Sequence, residues 1–279
     1  MLNLKLDPSF TLKLPADSDL TNTPRQVFEA CYSYVEPQKV PNARLILASE
    51  EVGKLIGLTK EELESKEFVD VFSGTKIIEE TKPYAMCYGG HQFGHWAGQL
   101  GDGRAINLAE ILHENKRWAL QLKGSGRTPY SRTADGLAVL RSSIREFLCS
   151  EAMHNLGIPT TRALSLMTSG NKVLRDVLYD GNPAYEEGAI VSRVATSFLR
   201  FGNYQIFAAR QDHKNLKQLV DYTIEYFYPH IGSPSKESYL QFFREVRDKT
   251  LEMIIHWQRV GFVHGVMNTD NLSLSLIHI

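Results

Sequence analysis

The sequence predicts an α+β chain in which a sheet-containing lobe is followed by a mostly helical one. Three segments carry that reading. "RWALQLKGSG" (Arg117–Gly126) is an apolar run ending at Lys123 and a pair of glycines, the pattern of a buried strand. "LAVLRSSIREFLCSEAMHNLG" (Leu137–Gly157) places Leu137, Leu140, Ile144, Phe147, Leu148 and Met153 at helical period, and Gly157 with Pro159 stops it. A long helical segment then runs from about Ser238 to Val260.

In chain order, residues 1–40 are punctuated by proline and weakly periodic, which predicts an extended arm lying on a core. Asn42 to about Ser65 predicts helices: Ser49 is a cap, Glu50 and Glu51 suit the positive end of the dipole, and Gly57 ends the turn. Thr59 and Glu62 stand at capping-box spacing for a second helix. Gly89, Gly90, Gly94, Gly98, Gly101 and Gly103 then crowd one stretch, predicting loops and turns where the backbone approaches something closely. "TTRALSLMTS" and "EGAIVSRVA" are strand-like, and the alternating last eight residues also predict a strand. The lobe boundary falls near residue 210, dividing 41–210 from 211–279.

Composition narrows the function classes. The 31 Lys and Arg against 32 Asp and Glu exclude an overall polycationic nucleic-acid binder. No run approaches 18 apolar residues, so a membrane span is not expected. Met1–Leu20 lacks the apolar core of a secretory signal and the Arg-rich look of a transit peptide. Cys31, Cys87 and Cys149 have no short spacing, so neither a disulfide framework nor a zinc knuckle is indicated, and a reducing cytoplasm is the expected compartment.

Four constellations bear on chemistry. Lys123 at a strand end precedes Glu146 in the next helix, so the two can face each other; paired in that way, a Lys is aimed at nucleotide phosphates. "HGVMNTDN" keeps the His264-to-Asn271 spacing of the His-x-Asp-x-x-x-x-Asn loop of phosphotransferases, but Val266 fills the Asp slot and cannot accept a proton. Asp270, directly before Asn271, is the nearest carboxylate. "GDGR" (Gly101–Arg104) and Asp135–Gly136 are turn sequences that also suit a phosphate pocket, and Arg193 and Arg200 are guanidinium groups able to clamp phosphate. His91 and His95 are four apart, but with glycines around them and no third ligand nearby they do not read as a metal pair.

Together, "YGGHQFGHWAGQLGDGR" (Tyr88–Arg104), "LKGSGRTPYSR" (Leu122–Arg132), "LRSSIREFLCSEAMHNLGIPTTRAL" (Leu140–Leu164) and "GFVHGVMNTDN" (Gly261–Asn271) resemble the selenoprotein O family, called YdiU in bacteria, from about Arg25 to Ser273. The resemblance implies a protein-kinase-like two-lobe (pseudokinase) fold and transfer of AMP from ATP to Ser, Thr or Tyr hydroxyls of proteins, with Mg²⁺ or Mn²⁺. It implies nucleotide contacts at Gly101, Gly103, Arg104, Lys123, Asp135, Gly136, Arg193 and Arg200, with Glu146 as partner of Lys123. Asp270 is the implied base and Asn271 a metal ligand. Lys123, Arg193 and Arg200 would gather positive charge for a pyrophosphate leaving group. UMP transfer from UTP and a non-catalytic nucleotide-binding scaffold are the alternatives. The family's Asp-Tyr-Gly segment, with a second metal-ligand Asp, is expected about one residue beyond Ile279, so an incomplete helical lobe, an incomplete metal site and an exposed strand edge are expected. Some eukaryotic relatives are mitochondrial, which is the alternative to the cytoplasm.

Overall fold

The computed structural model describes residues 2–274. The amino-terminal part opens with α1 (Ser9–Lys13), β1 (Tyr32–Tyr34) and β2 (Arg44–Ala48), followed by three short helices, α2 (Glu50–Leu55), α3 (Lys60–Leu63) and α4 (Lys66–Phe72). Next come β3 (Tyr84–Met86), the hairpin β4 (Gly89–Gln92) and β5 (His95–Gln99), β6 (Ala105–His113), β7 (Lys116–Lys123) and β8 (Ala138–Val139). The chain continues through α5 (Leu140–Asn155), β9 (Arg162–Arg175), β10 (Ala184–Ala195), α6 (Phe201–Ala209), α7 (His213–Phe227) and α8 (Lys236–Arg259). The fold is thus mixed α and β, around one large antiparallel sheet in the order β1-β3-β6-β7-β10-β9-β2, with β8 pairing β10.

Strand alternation sorts the sheet's two faces. On β7 and β10, Leu120, Leu122, Ile190 and Val194 point to one side and bury against Val52, Leu63, Phe68 and Phe72 of α2–α4. Val191 and Ala189 point to the other side and pack with Phe147 of α5. Lys123 is paired with Val191, and Arg193 with Gln121, so these polar side chains share the α5 face. Phe10, Tyr32, Tyr84 and Ile206 form a further core with Leu219 and Tyr222, joining the β1 edge of the sheet to α6 and α7. No helix among the described residues is long and apolar enough to cross a membrane.

The predicted caps form: the Ser49 hydroxyl accepts from the Val52 N–H, and Thr59 and Glu62 make a reciprocal capping box. Several expectations change. Arg44–Ala48 is not helical; "RLILA" is β2, paired with β9 along an edge that supplied no local signal. Residues 1–40 are more than an arm, since β1 pairs with β3 and Phe10 is buried in the core. The glycine-rich stretch contains the β4–β5 hairpin, whose register shifts between Gly90 and His91. The apolar stripe on α5 is only partly used: Phe147 is buried, but Ile144 is 38% and Leu148 57% exposed. At the carboxyl end Ser273 bridges Arg200 in antiparallel fashion, and the rest of the expected final strand lies outside the described residues.

Candidate active site

A cleft of about 640 Å³ lies between the 100–104 loop, the 127–137 loop and the loop carrying Asp270 and Asn271. Pockets for small organic ligands fall in the range of roughly 300–1,000 Å³. A second hollow of about 450 Å³ between α6, α7 and α8 is lined by Phe201, Leu216, Val220, Phe242 and Val246, and offers few polar groups for catalysis.

Glycine shapes the first wall. Gly101 has φ +77°, and a Cβ there would collide with the Tyr130 ring, standing 2.5 Å from its Cδ1. The Tyr130 hydroxyl is itself held 2.9 Å from Ser33 Oγ. Thr128 Oγ1 donates to the Asp102 carbonyl at 2.8 Å and Ser131 Oγ to the Gly103 carbonyl, fastening the "GDGR" loop to the 127–137 loop. Gly136 has φ +74° and no room for a side chain against Arg127 N. Arg104 lines the cleft together with Arg127, Arg132 and Arg175, so its walls are rich in guanidinium groups. Asp135 also lines it, but its carboxylate receives Arg175 at 2.7 and 2.9 Å and caps the Leu137 N–H at 3.0 Å. Partial burial pushes that carboxyl up, yet the Arg175 bonds win and hold it below its ordinary value.

Lys123 and Glu146 meet at 2.7 Å, with both side chains largely buried. Arg193 Nη1 stands 3.3 Å from the other Glu146 oxygen, and Arg193 Nη2 donates to Gln121 Oε1. Burial lowers Lys123 to about 8 against the pull of Glu146. Burial raises Glu146, but Lys123 and Arg193 outweigh it and keep the carboxylate below its usual range. This trio stands behind the cleft rather than on its lining.

Arg200 reaches the cleft from the start of α6. Its Nη1 donates to the Asp270 carbonyl at 2.7 Å, its Nη2 stands 3.6 Å from Asp102 Oδ1, and its guanidinium lies 4.8 Å from the Tyr88 ring centre. Nε of both Arg200 and Arg193 is buried without a hydrogen-bond partner among the described residues, which is costly unless a ligand supplies an acceptor. Asp102 is 2% exposed; burial raises its pKa, opposed by Arg200 and the Met86 N–H, which donates to Oδ2 at 3.1 Å.

Asp270 Oδ1 accepts from the His91 N–H at 3.1 Å. Asn271 Nδ2 donates to the Val266 carbonyl at 3.1 Å, which leaves the amide oxygen as the atom a cation would take. Val266 is exposed in the slot where a phosphotransferase carries its base. A carboxylate and an amide oxygen suit Mg²⁺, which is commonly held by one or two protein oxygens plus substrate phosphates. No cluster of three or more His, Cys, Asp or Glu for a metal exists among the described residues. His91 and His95 sit on the hairpin, with His91 turned to the Asp270 loop.

The structure therefore gathers Gly101, Gly103, Arg104, Asp135, Gly136, Arg200, Asp270 and Asn271 around one cleft and sets Lys123, Glu146 and Arg193 beside it. Sequence reasoning missed Asp102, Tyr88 and Arg175. Asp102 lay within the "GDGR" string and could have been found there, whereas Arg175 had no local signal.

The sequence matches the family described as "Protein adenylyltransferase SelO" over residues 17–277. It is 64% identical to a protein of Flavobacterium johnsoniae named "Protein nucleotidyltransferase YdiU", covering all of this chain and 53% of that relative. Proteins of the same name from Rhodopirellula baltica and an Azoarcus species are 57% and 55% identical, each over 98% of this chain and 52% and 53% of their own lengths. The chain spans about half the length of these relatives.

Proposed function

Because the chain belongs to the protein adenylyltransferase SelO family, we propose that it transfers AMP from ATP to Ser, Thr or Tyr hydroxyls of proteins. The observation that carries the proposal is the meeting of Asp270 and Arg200 in a guanidinium-lined cleft whose phosphotransferase base position is a valine. The relatives' name, protein nucleotidyltransferase, agrees in reaction class. In this reading the sheet with α5 belongs to one lobe of a kinase-like fold and α7 and α8 to the other, with the boundary near residue 210.

The chemistry follows from charge. Attack of a hydroxyl on the α-phosphate expels pyrophosphate, so positive charge must collect around the β and γ phosphates. Arg200 and Arg104 do this at the cleft wall, and the buried Nε of Arg200 gains an acceptor when phosphate binds. Lys123 and Arg193, balanced by only one carboxylate, add a net positive field from behind. Asp270 takes the proton of the attacking hydroxyl. Asn271 is the residue that would hold Mg²⁺, which when bound would supply further charge stabilisation to the phosphates.

The test is label transfer to protein from ATP labelled at the α or γ phosphate, beside the same assay with UTP and with a full-length relative as positive control. Incorporation of α label alone, abolished by Asp270→Ala, supports the reading. Incorporation of γ label makes the protein a kinase, preference for UTP makes it a uridylyltransferase, and nucleotide binding with no transfer makes it a scaffold.

A further inference from the structure

We infer that the dipeptide Gly90–His91, in the β4–β5 hairpin, is the positioning element of Asp270; the inference rests on the reading of Asp270 as the base. Three consecutive residues of the Asp270 loop are received by His91. Its N–H donates to Asp270 Oδ1 at 3.1 Å, its carbonyl accepts from Asn268 Nδ2 at 3.1 Å, and its ring Nδ1 lies 3.4 Å from Thr269 Oγ1. One residue, from a strand 177–179 positions away, thus fixes both the approach and the side-chain direction of the loop.

Gly90 makes that approach sterically feasible. A Cβ at Gly90 would collide with Asp270 Oδ1 and stand 2.5 Å from both Cβ and Cγ of Asp270, so the whole side chain, its root included, is in the way. The φ of Gly90 is not in the left-handed region, in contrast to Gly94 at +81° and Gly98 at +70°, so space alone demands glycine here. The hairpin's register shifts between Gly90 and His91, and a bulge is the means by which a strand re-aims a backbone group. The start of α6 closes the junction: the Gly202 N–H donates to the Thr269 carbonyl at 2.8 Å, and Asn203 Nδ2 donates to the Cys87 carbonyl at 2.8 Å. A side chain at Gly202 would collide with the Gly89 carbonyl, so hairpin, helix and loop meet backbone to backbone.

The role differs from nucleotide binding. Neither Gly90 nor His91 is among the residues lining the cleft, while Asp270 is. Moving Asp270 by the width of a methyl group should therefore leave nucleotide affinity in place and remove turnover, because a displacement of order 1 Å at a reacting group costs about 100-fold in rate.

The experiment pairs two readouts on this chain. In the α-label assay, Gly90→Ala is expected to lower kcat by about 100-fold while the Kd for ATP and the KM for ATP stay within about threefold. Equal losses in kcat and in ATP affinity, or a kcat within about threefold of the unsubstituted chain, overturn the inference. Should Gly90→Ala fail to fold, Asn268→Ala, which breaks the bond to the His91 carbonyl without adding bulk, carries the same kcat-against-Kd comparison. Independently of activity, the His91 amide is expected to be protected from hydrogen exchange and to lose that protection in Asp270→Ala; unchanged protection overturns the clamp. An unsubstituted chain that transfers no label defeats the functional reading alone, because the exchange measurement still decides the positioning.

Discussion

Arg200 donates to the main-chain carbonyl of Asp270 at 2.7 Å, although the two residues are 70 positions apart. A cation on the start of α6 is thereby tied by a hydrogen bond to the loop that carries the candidate base. The same guanidinium lies 3.6 Å from Asp102 and over the Tyr88 ring, while its Nε has no hydrogen-bond partner among the described residues.

Asp102→Asn is expected to destabilise the fold and, by freeing Arg200 at the cleft wall, to change nucleotide affinity. The Asn oxygen still accepts from the Met86 N–H, but the buried charge opposite Arg200 is gone. An unbalanced buried Arg costs on the order of 1–3 kcal/mol. Chemical denaturation gives the stability loss and titration with ATP the affinity, and unchanged values of both would refute the coupling.

Asp270→Ala is expected to reduce label transfer by about 10²–10⁴-fold, the range for a positioned general base, with nucleotide binding retained. Asp270→Asn tests the same point with volume preserved and still accepts from the His91 N–H. Retained turnover in Asp270→Asn would assign the base elsewhere.

Lys123 and Glu146 are expected to be energetically coupled but not exclusive partners, because Arg193 also approaches Glu146. Lys123→Met leaves Glu146 with Arg193, and Glu146→Gln leaves two cations together. The second change is therefore the more damaging to stability. A double-mutant cycle on unfolding free energy should return a coupling of roughly 1–3 kcal/mol. Simple additivity would show the pair to be independent.

Glu110, 5% exposed, gives the fold a pH dependence far from the cleft. Burial raises its pKa to about 7, against the Phe10 N–H that donates to it at 2.9 Å and the nearby Arg117. The folded form therefore binds a proton that the unfolded form releases at lower pH. This contribution to stability is fully present below the unfolded value of roughly 4.3 and is lost as pH rises through about 7. The swing is on the order of 3 kcal/mol. Thermal unfolding across that window should show Tm falling as pH rises, and Glu110→Gln, which still accepts from Phe10, should flatten the curve.

Legibility followed the range of the interactions. Ser49 and the Thr59–Glu62 box were readable because a cap is satisfied within three residues. Lys123 and Glu146 were readable because a strand and the helix after it have few ways to face each other. Arg44–Ala48 was misassigned because a short apolar run becomes a strand only through its partner, here β9. Ile144 and Leu148 fitted a helical stripe by period, yet α5 rests on the sheet through a narrower face centred on Phe147.

The sequence by itself determined the family, the α+β composition and the presence of Val266 where the His-x-Asp-x-x-x-x-Asn pattern has Asp, because these reside in residue identity and short spacing. Tertiary structure alone decided that Arg175 is committed to Asp135, that Asp102 is buried opposite Arg200, and that Gly90 gives way to Asp270. Each of these joins residues 40 to 180 positions apart through contacts of a few ångströms. Such contacts exist only after the sheet, the hairpin and α6 have closed on one another, and no local propensity encodes them.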